Sequence, residues 1–179
     1  MSKFTDGQYG AILIEISAQG IQKHSALIEN SSENAIHQVT EVLAVLGERK
    51  FPAWNVGTIR GGLAKNIVAP ECFAEAVIRP RTLKEHEKTL KTIEEIRVAF
   101  SGVSIKLKMA LEPLEGENQG GGFTEAYFFR GKGRKIEIVG AGDLRVAHSP
   151  EEHVPIAELE ALPGKIVAWA RGKSEKLQP

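Results

Sequence analysis

The stretch Val103-Ser104-Ile105-Lys106-Leu107-Lys108-Met109 alternates apolar and polar side chains from end to end. A period of two is typical of a β-strand that buries one face. Just upstream, Thr82-Leu83-Lys84-Glu85 has the spacing of a capping box, in which Thr82 and Glu85 stabilise the start of a helix. Apolar residues at helical spacing continue from there to Phe100. The sequence therefore predicts a helix over residues 83–100, followed by a strand over 103–109.

Two more strands are predicted before this pair. Residues 66–79 are rich in β-branched and other apolar side chains after an irregular start at Ala69-Pro70, and residues 53–59 form a shorter run. Both have the composition of strands. Pro52 has no backbone N–H to donate, so the strand that follows it is expected at the edge of a sheet.

A strand and a helix precede these elements. Ala11 to Ile16 is a short β-branched run between glycines. A helix is predicted over residues 33–46, with Ser31 or Ser32 as its N-cap. The order strand, helix, strand, strand, helix, strand favours a ferredoxin-like α+β fold, in which a four-stranded antiparallel sheet carries both helices on one face.

The character of the chain changes after Ala110. Residues 112–122 are rich in glycine and acidic side chains, as in a linker or an active-site loop. The segments predicted beyond them are a short helix over 124–130, a strand over 135–139, and a helix over 155–171 that is broken or kinked near Pro163-Gly164. One strand and two helices cannot close a hydrophobic core, so this partial α/β segment needs a surface on which to pack.

Composition and charge exclude several classes of partner. The 179 residues include 23 basic and 23 acidic side chains, so no net field attracts nucleic acid or an anionic membrane. No apolar run approaches the roughly 20 residues that span a bilayer, and Met1 to Asp6 has no hydrophobic signal core. The one cysteine, Cys72, has no partner for an internal disulfide. We expect a cytoplasmic protein that binds neither nucleic acid nor membrane.

Four separated stretches carry motifs: Gly20 to Ala26 with Asn34-Ala35-Ile36; Asn55 to Gly62 with Asn66-Ile67-Val68; Gly122-Phe123-Thr124-Glu125-Ala126; and Gly140-Ala141-Gly142 with Ala147 to Glu152. In this order they resemble the zinc-dependent amidohydrolase and peptidase family of acetylornithine deacetylase, succinyl-diaminopimelate desuccinylase and carboxypeptidase G. The resemblance implies a ferredoxin-like lid and dimerisation domain over residues 1–110. Residues 111–179 would correspond to the C-terminal part of the catalytic domain.

The resemblance also implies roles for three residues of the lid. His24 matches a histidine that reaches into the partner subunit's active site, where it would donate a hydrogen bond to the oxyanion formed from an amide carbonyl. Asn66 and Arg79 match positions that contact substrate, and a guanidinium group suits the carboxylate of an N-acyl amino acid. Because Arg79 lies beside Pro80-Arg81, an ordinary solvated basic patch is the alternative interpretation.

Three further matches lie in the tail. His148 matches the family's C-terminal zinc ligand, and the turn at Gly140 and Gly142 would offer backbone N–H groups to an anion. The sequence also departs from the family pattern, with Glu125 in place of an aspartate and Ala141 in place of a proline. In the lid, Val77 stands where the family has an aspartate two residues before the arginine.

The metal requirement of that family limits what this chain is expected to do. None of the five histidines is followed by aspartate two residues on, as the family's His-x-Asp motif requires. A catalytic zinc needs about three protein ligands. We therefore expect weak zinc binding and no hydrolysis by these residues alone.

Three interpretations of the chain follow. It is a fragment or a second chain of a deacylase that is active only with an N-terminal half supplied elsewhere. It is a stand-alone dimerisation or binding module derived from that family. Or its tail has acquired a different, non-catalytic partner. The substrate under the first interpretation is a small N-acyl amino acid or peptide, and we expect a homodimer formed by the 53–59 strand and the 33–46 helix.

Overall fold

A computed structural model describes residues 4–131 and 136–174. Its main element is a four-stranded antiparallel sheet of β2 (Ala11–Gln19), β3 (Trp54–Gly61), β4 (Glu71–Ile78) and β5 (Ser104–Leu111), in the order β3-β4-β2-β5. Helices α1 (Ala35–Glu48) and α2 (Leu83–Ala99) connect the strands. The predicted ferredoxin-like fold is confirmed, and β3 lies at the sheet edge as Pro52 indicated.

The core lies between one face of the sheet and both helices. Alternation along β2 turns Ile12, Ile14 and Ile16 towards this core, where each is at most 1 % exposed. The helices contribute buried residues at helical spacing, Val39, Val42 and Leu46 from α1 and Ile93 and Ile96 from α2. Because both helices pack on the same sheet residues, the opposite face of the sheet is left open.

The helix starts differ in detail from the prediction. Asn34 caps α1 by accepting from the N–H of Ile36 at 2.9 Å, whereas Ser31 and Ser32 form a separate 3-10 turn. Thr82 caps α2 as predicted, accepting from the N–H of Glu85 at 3.1 Å. The carboxylate of Glu85 accepts instead from the N–H of Arg81, one residue earlier than a capping box requires.

The tail packs on the N-terminal segment. Strand β1 (Gly7–Gln8) pairs in parallel with β6 (Gln119–Gly120), and Thr5 exchanges two backbone hydrogen bonds with Ile138 at 2.9 and 2.7 Å. The predicted strand over 135–139 begins outside the described residues, and 136–139 form only this bridge. Among the described residues no strand pairs with 136–139, so this bridge does not extend into a ladder of backbone hydrogen bonds.

Two helical segments complete the tail. Glu125–Phe129 is a 3-10 helix capped by the Thr124 hydroxyl, and α3 runs over Ile156–Ser174. The break predicted near Pro163 is wrong, because α3 continues through it with the loss of one backbone donor. Among the described helices, none has the length and hydropathy to cross a membrane.

Candidate functional site

His24 and Asn66 lie together at one end of the sheet. The N–H of Ser25 donates to the Asn66 carbonyl at 2.9 Å, and both His24 and Asn66 are exposed. The His24 ring accepts from the N–H of Ala26 through Nδ1 at 3.1 Å. A neutral imidazole that accepts at Nδ1 carries its proton on Nε2. The exposed tip of His24 is therefore a hydrogen-bond donor.

An ion pair and a close backbone approach hold the His24 loop in place. Lys23 Nζ lies 2.8 Å from the Glu33 carboxylate, which also accepts from the N–H of Glu29 at 2.9 Å. The bond from Lys23, followed by that backbone bond, lowers the pKa of Glu33. At the base of the loop, a Cβ on Gly20 would lie 2.2 Å from the Ala69 carbonyl oxygen. The loop can lie this close to residues 66–70 only because position 20 is glycine.

Arg79 lies at the opposite end of the sheet from His24. Gln19 pairs with Glu71 at one end of β4, and Ile12 pairs with Ile78 at the other. Seven residue steps of β4 separate these ends, a length of roughly 23 Å. Arg79 Nη1 is buried and, within the described part of the chain, has no hydrogen-bond partner. The fold therefore brings Asn66 to His24 but keeps Arg79 away from both.

The glycine turn of the tail, Gly140 to Gly142, already binds a carboxylate of the same chain. Gly142 adopts φ +92°, and its N–H donates to Glu158 in the first turn of α3 at 3.1 Å. Gly140 is exposed, with open space where a Cβ would be. The predicted anion-binding turn thus binds an internal anion at Gly142.

His148 lies in an exposed turn of the tail. It adopts φ +62°, and its N–H donates to the Glu152 carboxylate at 2.9 Å. Among the described residues there is no group of three or more His, Cys, Asp or Glu side chains that could hold a metal. His148 is one candidate ligand where about three are needed, so the residues present do not by themselves fit a zinc ion.

The buried side chain of Gln8 connects strand β1 to Thr124 of the tail, a contact that the sequence did not indicate. Its side chain is 1 % exposed, donates to the Thr124 carbonyl at 3.2 Å, and accepts from the Thr124 N–H and hydroxyl at 2.9 and 2.6 Å. Thr124 belongs to the motif that resembles the family. A partner 116 residues away gives no local signal, so nothing around Gln8 in the sequence could have indicated this contact.

We expect Gln8→Leu to lower the free energy of unfolding by about 1–3 kcal/mol, because three hydrogen bonds to half-buried Thr124 are lost and its N–H loses its acceptor. Urea unfolding measures this loss, and Gln22→Leu at an exposed position is the control. Equal midpoints for the two variants would show that water replaces the Gln8 amide without cost.

A second buried polar group, His86 of α2, lies near charged residues that follow the sheet, Glu112 and Arg130. His86 is 5 % exposed, although both of its sequence neighbours are charged glutamates. Burial lowers the pKa of His86, while Glu112 and Glu87 oppose the shift and Arg130 adds to it. Glu112 and Arg130 form an ion pair at 3.2 Å, and the Arg130 guanidinium lies 3.8 Å from the Tyr127 ring centre.

These features define a ferredoxin-like domain whose candidate site residues lie at the two ends of one sheet. Comparison with protein families matches the peptidase dimerisation domain of the M20 peptidases to residues 6–100. The chain belongs to this family. The resemblance to zinc-dependent amidohydrolases and peptidases is thereby confirmed at the level of the family.

The relatives include hydrolases of roughly twice this length. An acetylornithine deacetylase of Myxococcus xanthus is 27 % identical over 89 % of this chain and 52 % of its own length. A peptidase M20 domain-containing protein of Schizosaccharomyces pombe is 32 % identical over 59 % of this chain and 28 % of its own. The chain thus spans about half the length of the deacetylase and less of the second relative.

Solved structures match both the lid and the tail in fold. A tripeptidase from Staphylococcus aureus superposes with a TM-score of 0.72 at 18 % identity, over 91 % of this chain and 51 % of that one. Aminopeptidase PepT from Bacillus cereus gives a TM-score of 0.64 at 16 % identity, over 88 % and 50 %. At such identities these matches concern the fold alone.

Proposed function

We propose that this chain supplies the lid and part of the catalytic domain of a zinc-dependent amidohydrolase acting on N-acyl amino acids or small peptides. Residues 1–110 are then the lid and dimerisation domain, and residues 111–179 are the C-terminal part of the catalytic domain. The metal-binding half would come from outside these 179 residues, in the same polypeptide or in a companion chain. His148 would add one ligand to that centre.

The distance between the two ends of the sheet supports this proposal best. The strand between the end that carries His24 and Asn66 and the end that carries Arg79 is roughly 23 Å long, too far for one small substrate to contact both ends. In a homodimer, the His24 loop of one protomer can reach the site that contains Arg79 of its partner. Membership of a dimerisation family supports such an assembly.

Each residue has a chemical task in this composite site. Arg79 carries a buried Nη1 without a partner in the described residues, which suits the carboxylate of the substrate. His24 presents its Nε2 donor where negative charge develops on the amide oxygen. Asn66 lies beside His24 and offers a side-chain amide to the substrate backbone.

We expect the dimer to form through the β3 edge and α1. The outer face of α1 exposes Thr40, Ala44 and Gly47, small residues that let a second helix approach closely. Ala44→Arg should therefore convert the dimer to a monomer in light scattering, because a long cation replaces a small contact. Ala99→Arg on the exposed face of α2 is the matched control and should remain dimeric. A native chain that is monomeric at high micromolar concentration would refute the interface.

Zinc binding gives a separate test of the proposal. The purified 179-residue chain should bind zinc weakly in calorimetry, because it offers one candidate ligand of the family, and His148→Ala should leave the titration unchanged. Addition of a metal-binding half should produce tight binding that depends on His148. Stoichiometric zinc binding by the chain itself would contradict the assignment of the tail.

A second candidate is a stand-alone dimerisation or binding module, with either no partner or a different partner on its tail. The family match over residues 6–100 favours it, since that match covers the dimerisation domain. Exposed apolar side chains of the tail, such as Phe128 at 65 % and Ile156 at 72 %, would then contact that other partner. The two candidates separate on whether a metal-binding half restores hydrolysis.

A further inference from the structure

An open hollow lies on the face of the sheet that the helices leave uncovered. Its volume is about 370 Å³, and all four strands of the sheet contribute to its lining: Leu13, Ile14, Gly57, Glu75, Ala76, Val77 and Lys108. Leu13 and Val77 face each other across β2 and β4. This volume lies within the range of pockets that take small ligands, which is roughly 300–1,000 Å³.

The hollow is open at Gly57 because this residue has no side chain. The register of β3 against β4 shifts between Val56 and Thr58, with Gly57 at the irregularity. A Cβ at Gly57 would have its nearest contact with the Glu75 carbonyl at 3.8 Å, which is ordinary van der Waals distance. Space is therefore left where another residue would place a side chain.

The charged groups at the rim of the hollow have internal partners. Glu75 accepts from the Thr58 hydroxyl at 3.1 Å, and Lys108 donates to Glu15 at 3.5 Å. The floor between them consists of Leu13 and Val77, which are half-buried and apolar. Such a surface gains more from an apolar group than from a charged one.

Arg79 follows the residues of this hollow along the chain, one position past the end of β4. Continued alternation from Val77 places it on the same face of the sheet, with its Cα atom roughly 7 Å from that of Val77. Its Nη1 atom is buried and has no hydrogen-bond partner among the described residues, so it can donate to a carboxylate. In an N-acyl amino acid, the carboxylate and the side chain leave the same carbon, so one ligand can present the two groups to Arg79 and to the hollow.

Val77, on the floor of the hollow, is one of the residues at which this sequence departs from the family pattern. Val77 stands where the amidohydrolases that this sequence resembles have an aspartate. An aspartate in the hollow would favour a cationic side chain, whereas valine favours an apolar one.

We propose that the hollow lined by Leu13, Gly57 and Val77 binds the apolar side chain of an N-acyl amino acid whose carboxylate is held by Arg79. This inference deepens the proposed function and rests on it, because it names the substrate class of the same site. The hollow thus selects for leucine-like side chains and against basic ones.

The test is a titration of the full 179-residue chain, followed by amide chemical shifts. N-acetyl-leucine should shift the signals of Leu13 and Val77 and bind about tenfold more tightly than N-acetylglycine, which lacks the side chain. Val77→Asp should abolish that advantage, while Val98→Asp, at a position 71 % exposed on α2, should retain it. Gly57→Val fills the hollow without a backbone clash and should also abolish it, which covers the case in which Val77→Asp fails to fold.

Two results would overturn the inference, and they have different consequences for the proposed function. If both ligands bind equally and Arg79→Ala abolishes both, the carboxylate site exists and the side-chain hollow is wrong, so the proposed function survives. If N-acetyl-leucine leaves Leu13 and Val77 unshifted at tens of millimolar, the hollow is not a binding site. The proposed function is then judged by the activity of the assembled enzyme alone.

Discussion

Gly20→Ala should lower the free energy of unfolding by at least about 3 kcal/mol, which places it among the most damaging single substitutions in this chain. An added Cβ would lie 2.2 Å from the Ala69 carbonyl oxygen and 2.5 Å from the Glu33 carbonyl oxygen. Both are backbone atoms and cannot turn aside as a flexible side chain would. The loop must therefore separate from residues 66–70, and the Ser25–Asn66 hydrogen bond is lost with it.

Gly102→Ala is the matched control for this substitution. Its added Cβ would have a nearest contact of 3.8 Å, with the end of the Gln38 side chain, so we expect a change within about 0.5 kcal/mol. Urea unfolding gives both values, and amide spectra report whether His24 and Asn66 have moved. A Gly20→Ala variant as stable as Gly102→Ala would show that the loop is not packed as described.

Local patterns predicted the lid because each of its elements is determined by neighbouring residues. The alternation at 103–109 reflects a strand with one buried face, and Thr82 caps α2 where the sequence placed a helix start. Exposure does not repeat that alternation fully, since Leu107 and Met109 remain 50 % and 41 % exposed. The adjacent residues Leu13 and Ile14 of β2 pair with Met109 and Leu107, so Lys108 is an extra residue in β5 and interrupts the alternation.

The features that the sequence did not reveal depend on residues far apart in the chain. Gln8 binds Thr124 across 116 positions, and Glu112 and Arg130 come close enough to affect His86 only in the folded structure. The continuity of α3 through Pro163 also had no local signal. For the candidate site, the motifs named His24, Asn66 and Arg79, but only the register of β2 on β4 places them at opposite ends.

The second large effect concerns catalysis by an enzyme assembled with a metal-binding half, and it follows from the separation of His24 and Arg79 in the fold. His24→Ala should lower kcat about 10²–10³-fold, because it removes a donor to the developing oxyanion. Arg79→Ala should lower kcat/KM by a similar factor of about 10²–10³, because a buried, charge-assisted bond to the carboxylate is lost. If His24 acts in the partner's site, each homodimer of a single variant has two defective sites.

Mixing the two inactive variants should then restore activity. Equal amounts that exchange freely give about one half heterodimers, as binomial pairing of a two-fold dimer requires. One site of each heterodimer combines a native Arg79 with a native His24 from the partner, and the other site lacks both. The mixture should therefore reach about a quarter of native activity, whereas each variant by itself stays near background.

The result of mixing depends on which protomer supplies His24. If His24 acted on the substrate held by its own chain's Arg79, every site in a heterodimer would lack one of the two residues, and activity would stay at background. The His24→Ala, Arg79→Ala double variant mixed with native chain is the control, since its heterodimers then have one defect in each site and add no activity. With roughly 23 Å of sheet between the two ends, a shared small substrate requires the intersubunit arrangement. A composite site therefore gives about a quarter of native activity in both mixtures, the second from its native homodimers, whereas a site within one chain gives background in the first and about one half in the second.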